Sequence, residues 1–151
     1  VSLEPRAVEL IKEFEGLRLK PYLCSAGVPT IGYGSTFYLD GRKVTLQDPP
    51  ITKEMANELL HNTLNRIFIP GVLRACPVLI GHPNKLGAIV SFAYNLGVGR
   101  LQASTLRRRI NEQNWPEAEK ELLRWNLNLG KPSRGLIRRR EAERALFALV
   151  G

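Results

Sequence analysis

The segment LGAIVSFAYNL, residues 86–96, is apolar nearly all round, and a helix without a polar face is stable only where other elements cover every side of it. Asn84 stands before it as a candidate cap and Gly97 closes it. At 151 residues the chain fits one domain of ordinary size, or two small lobes sharing a core. Apolar residues at 44% and charged residues at 24% give the balance of a globular protein and exclude a disordered one. The longest apolar runs, Val78–Ile80 and Ala145–Val150, fall far short of the roughly 20 residues of a membrane span.

The periodicity around this central segment changes twice. Leu3, Ala7, Val8, Ile11 and Phe14 recur at helical spacing, with Ser2 as a cap, Pro5 in the first turn and Gly16 past the end, which predicts a helix over 3–15. From 17 to 47 short alternating runs are broken by Ser25-Ala26-Gly27, Gly32, Gly34 and Asp40-Gly41, the pattern of a small antiparallel sheet with a tight turn at Asp40-Gly41. Thr52 caps a further helix over 53–69, which Pro70-Gly71 should end. Additional helices are expected near 103–112, 116–126 and 134–149, opened by Ser104 and Ser133 where a cap is needed. The order helix, sheet, five helices predicts an α+β protein with a small antiparallel sheet lobe, about 17–47, beside a mostly helical lobe, about 52–151 plus 3–15. A cleft between them is the natural ligand site.

The net charge of +8 is uneven, since residues 100–151 carry twelve Arg or Lys against six Glu. A polyanionic partner is implied, and nucleic acid, anionic membrane and bacterial cell wall all qualify. The same charge also suits a solvated helix surface. Arg138-Arg139-Arg140 point around a helix and are followed at once by Glu141 and Glu143, a poor match to a nucleic-acid helix. Cys24 and Cys76 form neither a zinc framework nor a disulfide scaffold, and they can pair only if the fold brings them together. No cofactor motif or metal cluster is visible. The sequence opens at Val1 without the succession of a signal peptide, so export is expected to need a removed segment or outside help.

Glu15 ends the first helix on the face shared with Val8 and Ile11. A carboxyl in such half-apolar surroundings, at the negative end of a helix dipole, has its charged form disfavoured, which suits a general acid. It would serve equally as an ion-pair partner of Arg18 or Arg138. Glycoside hydrolysis usually needs a second carboxylate, yet Cys24 stands nine residues on, followed by Thr30 on the next strand. A thiolate can attack, or activate water; a lone Cys is also simply a small buried hydrophobe.

Glu15-Gly16-Leu17-Arg18-Leu19, Pro21-Tyr22, Gly27 and Thr30-Ile31-Gly32-Tyr33-Gly34 together resemble the active-site signature of the phage-type lysozymes, glycoside hydrolase family 24, which are endolysins. The likeness continues through SFAYNLGVG at 91–99, STLRRRIN at 104–111, LLRWN at 122–126 and GLIRRREAERALF at 135–147, nearly the whole chain in order. The resemblance implies a single two-lobed lysozyme-like muramidase domain over 1–151, cutting the β-1,4 bond between N-acetylmuramic acid and N-acetylglucosamine in peptidoglycan. It maps the family's catalytic Glu onto Glu15, its usual Asp onto Cys24 and its Thr onto Thr30. Glu15 would protonate the glycosidic oxygen while Thr30, with Cys24, positions the attacking water. A covalent role for Cys24 would give retention instead.

Gly27, Gly32 and Gly34 would turn the hairpin and let a sugar approach the backbone, although any hairpin uses glycines so. Tyr33 would stack on the saccharide and Asn95 hydrogen-bond it. The resemblance also implies a monomer acting at the bacterial wall, cytoplasmic until released or exported, without nucleic acid, stable membrane insertion or a cofactor. Two other classes stay open: a lytic transglycosylase, which needs one acid/base and leaves anhydro ends, and a wall-binding scaffold that has lost hydrolysis. A thiol at the catalytic position adds the option of redox control through oxidation or a Cys24–Cys76 disulfide.

Overall fold

The computed structural model describes residues 2–150. The chain divides into two compact units: Glu15–Ile67 forms one, and the residues before it join those from Phe68 onward to form the other. In chain order the elements are α1 (Pro5–Glu15), β1 (Arg18–Leu23), β2 (Pro29–Gly32), α2 (Lys53–Thr63), a π-helical turn (Leu64–Phe68) and α3 (Ile69–Ala75). A 3-10 turn (Pro77–Gly81) leads to α4 (Pro83–Leu96), α5 (Val98–Gln102), α6 (Thr105–Asn111) and α7 (Trp115–Leu123). The short strands β3 (Leu127–Asn128) and β4 (Lys131–Pro132) precede α8 (Arg134–Phe147).

In the helical unit α4 is the buried centre that its sequence demands, with Leu86 to Ala93 all inaccessible. It begins two residues earlier than a cap at Asn84 would place it. Pro83, which needs no hydrogen bond for its nitrogen, takes the first position after His82, and Asn84 is buried inside the helix and does not cap it. At the start of α1 the cap moves from Ser2 to Glu4, whose Oε1 accepts from Arg6 N at 3.4 Å while its carbonyl accepts from Ala7 N at 2.9 Å. Helices α1 and α4 approach so closely at Gly87 that a Cβ there would lie 2.7 Å from Ala7 Cβ.

The arginine run is largely core. Arg139 and Arg140 are 3% and 0% exposed, and both engage the fully buried Glu143. Arg140 Nη2 donates to Glu143 Oε2 at 2.9 Å, and its Nε lies 2.7 Å from Oε1 as an ion-pair contact outside hydrogen-bond alignment. Ser91 Oγ on α4 donates to the same carboxylate at 2.6 Å, and Arg139 Nη2 donates to the Ser91 carbonyl at 3.2 Å. Burial pushes Glu143 up and Arg140 down from their ordinary values, and the attraction between them opposes both shifts. The guanidiniums stay charged, so the cluster clamps α8 to α4 as an ion pair. Of the three arginines only Arg138 is exposed, so the run contributes one side chain to the basic surface.

Among the described residues seven α-helices follow the β1–β2 sheet where five were expected. Pro70 does not end the helical run begun at Lys53; it falls in the first turn of α3 just after the π turn, where a missing donor is tolerated. The sequence pattern also missed α5 and the β3–β4 hairpin. That hairpin turns on Leu129 (φ 52°) and Gly130 (φ 80°), both left-handed, between the paired Asn128 and Lys131. A leucine in that position carries a strain of about 1–2 kcal/mol.

In the other unit β1 and β2 pair antiparallel, with Tyr22 opposite Thr30 and Leu23 opposite Pro29. Ile31, Val44 and Leu59 form its core, packed with Tyr38, Ile51 and Met55. Thr52 caps α2 as expected, accepting from Met55 N at 3.1 Å. Asp40-Gly41 does turn the chain, with Gly41 N donating to Tyr38 O at 3.0 Å, but only the single bridge Phe37–Lys43 stands where two strands were expected. Side-chain bonds replace the ladder: Asp48 accepts from Thr45 N, Thr45 Oγ1 and Tyr38 OH at 2.7–2.8 Å, and from Arg42 Nη1 at 3.3 Å.

Candidate active site

The turn between β1 and β2 determines what Cys24 can do. Cys24 N donates to Val28 O at 3.1 Å and Gly27 N donates to Cys24 O at 2.8 Å, with Gly27 at φ +77°. This is the three-residue hairpin loop in which a tight turn is followed by a left-handed glycine. Its first position favours Asp, Asn or Ser, whose side chain accepts amides of the turn. Here sulfur takes that place. Backbone hydrogen bonds from Val28 and, less strongly, Ala26 pull the Cys24 thiol below its ordinary value, the Thr30 hydroxyl adding to the shift and partial burial opposing it.

Thr30 is 3% exposed and its Oγ1 donates to Val28 O at 2.8 Å. A hydroxyl has one proton. That proton goes to Val28 O, and a Cys24 thiolate would draw it toward sulfur. Cys24 and Thr30 lie in the same unit as Glu15, which is half-buried at the end of α1.

The sequence assigns Tyr22 no role beyond its place in the signature. It lies opposite Thr30 and two residues before Cys24, so all three share one face of the hairpin. Its phenol is pushed up by burial first, then by the negative charge of Glu15 and Cys24, against a pull down from Arg18. The Arg18 guanidinium lies over its ring, 4.7 Å from the centroid. Glu15 and Cys24 are thus each within electrostatic reach of Tyr22.

The expected sugar-binding residues fare differently. Gly32 has φ +68°, and a Cβ on it would stand 3.3 Å from Ala56 Cβ, so its smallness serves the packing of α2 as well as the turn. Tyr33, the residue expected to stack on a saccharide, is 5% exposed. Asn95 is half-buried in α4 of the helical unit, with its Oδ1 buried and lacking a hydrogen-bond partner. Both cysteines are free thiols, so the optional Cys24–Cys76 disulfide is not formed. Among the described residues no group of three or more His, Cys, Asp or Glu gathers to hold a metal ion. No described helix is long and apolar enough to cross a membrane.

A buried central helix, further helices around it and a short antiparallel hairpin after the first helix define an α+β fold of the lysozyme-like type. Among solved structures, the endolysin of Escherichia coli O157:H7 phage FAHEc1 shares it with a TM-score of 0.82 and 33% identity, over 98% of this chain and 94% of that one. The chain belongs to the phage lysozyme family, which matches residues 12–143. The endolysin of Bacillus phage B103 is 37% identical over 147 residues, 97% of this chain and 54% of that protein. The endolysin of Acyrthosiphon pisum secondary endosymbiont phage 1 is 35% identical, over 97% of this chain and 98% of its own length. The chain spans about half the length of the two Bacillus phage relatives.

Proposed function

We propose that the protein is a muramidase of the endolysin type, a single lysozyme-like domain of two units that hydrolyses the β-1,4 bond between N-acetylmuramic acid and N-acetylglucosamine in bacterial peptidoglycan. The observation that carries this reading is the placement of Cys24 at the head of the hairpin turn and of Thr30 on its second strand, directly after Glu15 and inside the residues that match the family. Glu15, protonated, gives its proton to the glycosidic oxygen as that oxygen leaves the anomeric carbon. Water held by Thr30 adds to the oxocarbenium-like centre, and the Cys24 thiolate takes the water's proton. Attack from the face opposite the leaving group gives inversion. Exchange with solvent returns a proton to Glu15 and removes one from Cys24. Asn95, with its unsatisfied Oδ1, is the side chain we assign to a hydroxyl or N-acetyl group of the saccharide. The protein acts as a monomer at the bacterial wall, without nucleic acid or cofactor.

Digestion of purified peptidoglycan in H₂¹⁸O by the wild type and by Glu15→Gln, followed by mass spectrometry of the muropeptides, tests this. Labelled reducing ends from the wild type alone are expected. Anhydro ends would make it a transglycosylase, and no release by either protein would leave a wall-binding module.

A further inference from the structure

The β3–β4 hairpin carries features that neither the fold nor the proposed reaction uses. At its tip Leu129 is 96% exposed in a left-handed turn position, where Asn or Gly would sit without strain, and Leu127 on the adjoining strand is 54% exposed. In water such a side chain gives the folded chain nothing. The charge around it is one-sided: between Glu121 and Glu141 stand six Arg or Lys and no Asp or Glu. Arg139 and Arg140 are committed to Glu143, and Arg124 meets Glu121 at 3.2 Å. Lys131 and Arg134 are exposed and make no ion pair among the described residues. Both stand at the N-terminal end of α8, whose first turn holds no acid, so they face the positive end of the helix dipole.

We propose that this hairpin docks the protein peripherally on an anionic phospholipid surface. Leu129 and Leu127 enter the boundary between headgroups and acyl chains, while Lys131 and Arg134 meet the lipid phosphates. An exposed apolar tip flanked by unpaired cations is the chemistry of such attachment. An anionic wall polymer would attract the cations equally well but offers no apolar phase to the leucines, so the lipid surface accounts for both halves of the patch.

Co-sedimentation with vesicles of mixed phosphatidylglycerol and phosphatidylcholine, against phosphatidylcholine alone, tests the docking. The wild type should bind the anionic vesicles and leave the neutral ones. Leu129→Asn, which relieves the turn and should melt no lower than the wild type, is expected to weaken partition about tenfold. Lys131→Gln and Arg134→Gln should each weaken it about fivefold. Release of soluble muropeptides from purified peptidoglycan should be unchanged by Leu129→Asn, which separates loss of docking from loss of catalysis. The proposal is overturned by absence of wild-type binding, or by binding that Leu129→Asn leaves intact. Dependence on the two cations with indifference to Leu129 would also overturn it, and would point to a polymer partner.

Discussion

The two sulfurs of the chain sit in opposite environments. Cys76 is fully buried, and burial pushes its thiol up to about 11 against a weaker pull from Arg107. Cys24 is half-buried beneath turn amides that pull its thiol down, so of the two thiols Cys24 ionises at the lower pH. If that thiolate takes the proton of the attacking water, Cys24→Ala should lower the rate of peptidoglycan cleavage by about 10²–10⁴-fold, the usual worth of a positioned base. Cys24→Asp should restore most of it, because a carboxylate at the first position of this turn accepts the same amides. The exchange also has a signed pH effect. A base works only when deprotonated, and Asp loses its proton at lower pH than Cys, so the acid limb of the pH–rate profile should move to lower pH in Cys24→Asp. Rates of reducing-end release across pH would show it, and an unmoved limb would take the proton-accepting role away from residue 24.

At the scale of elements, the loop from Thr36 to Asp48 replaces strand pairing with a carboxylate hub. Amide and hydroxyl donors hold Asp48 below the ordinary carboxylate value of 3.8, Thr45 N being the strongest, while burial and the bond to Asp48 push the Tyr38 phenol up to about 12. The depressed acid supports the loop fully above its unfolded value and loses that support as pH falls through the folded one. The raised phenol supports it fully below its unfolded value of 10.0 and fails as pH rises toward 12. Amide protection in the loop should therefore be flat between these limits and fall on both sides, and Asp48→Asn should lower it about tenfold at neutral pH. Exchange measured by NMR across pH checks the window; a single-sided loss would remove Tyr38 from the hub.

The same loop marks where sequence reading stops. The caps at Thr52, Ser104 and Ser133 and the turn at Asp40-Gly41 were legible because each depends on a neighbour two or three residues away. The fate of the arginine run was not, because burial of Arg139 and Arg140 depends on Ser91, almost fifty residues earlier. Pro70 was no guide to the helix end either, since a new helix begins at Ile69 and holds it in its first turn. At the site, Glu15, Cys24 and Thr30 were readable as residue types at a spacing. Tyr22 and the amides that act on sulfur needed the register of the hairpin.

At the scale of the molecule, the chain leaves the helical unit after Phe14 and re-enters it at Phe68, so the first helix belongs with elements more than fifty residues away. The close approach of Ala7 to Gly87 and the buried faces of Ala7, Val8 and Ile11 make α1 part of the packing around α4. Gly87→Ala places a Cβ 2.7 Å from Ala7 Cβ, and neither atom is the far end of a flexible side chain, so the helix backbones must move apart. Overpacking of this kind costs about 1–3 kcal/mol. If the helical unit unfolds as one body, native-state hydrogen exchange in Gly87→Ala should lose protection by a common factor in α1, α4 and α8, roughly 5–150-fold for that cost. The amides of β1 and β2, in the other unit, should keep the wild-type free energy of opening. Protection lost from α1 alone would mean that the first helix frays independently of α4. Equal loss in the hairpin would mean that the two units open as one cooperative body, and that damage at Gly87 reaches Glu15, Cys24 and Thr30 through global unfolding.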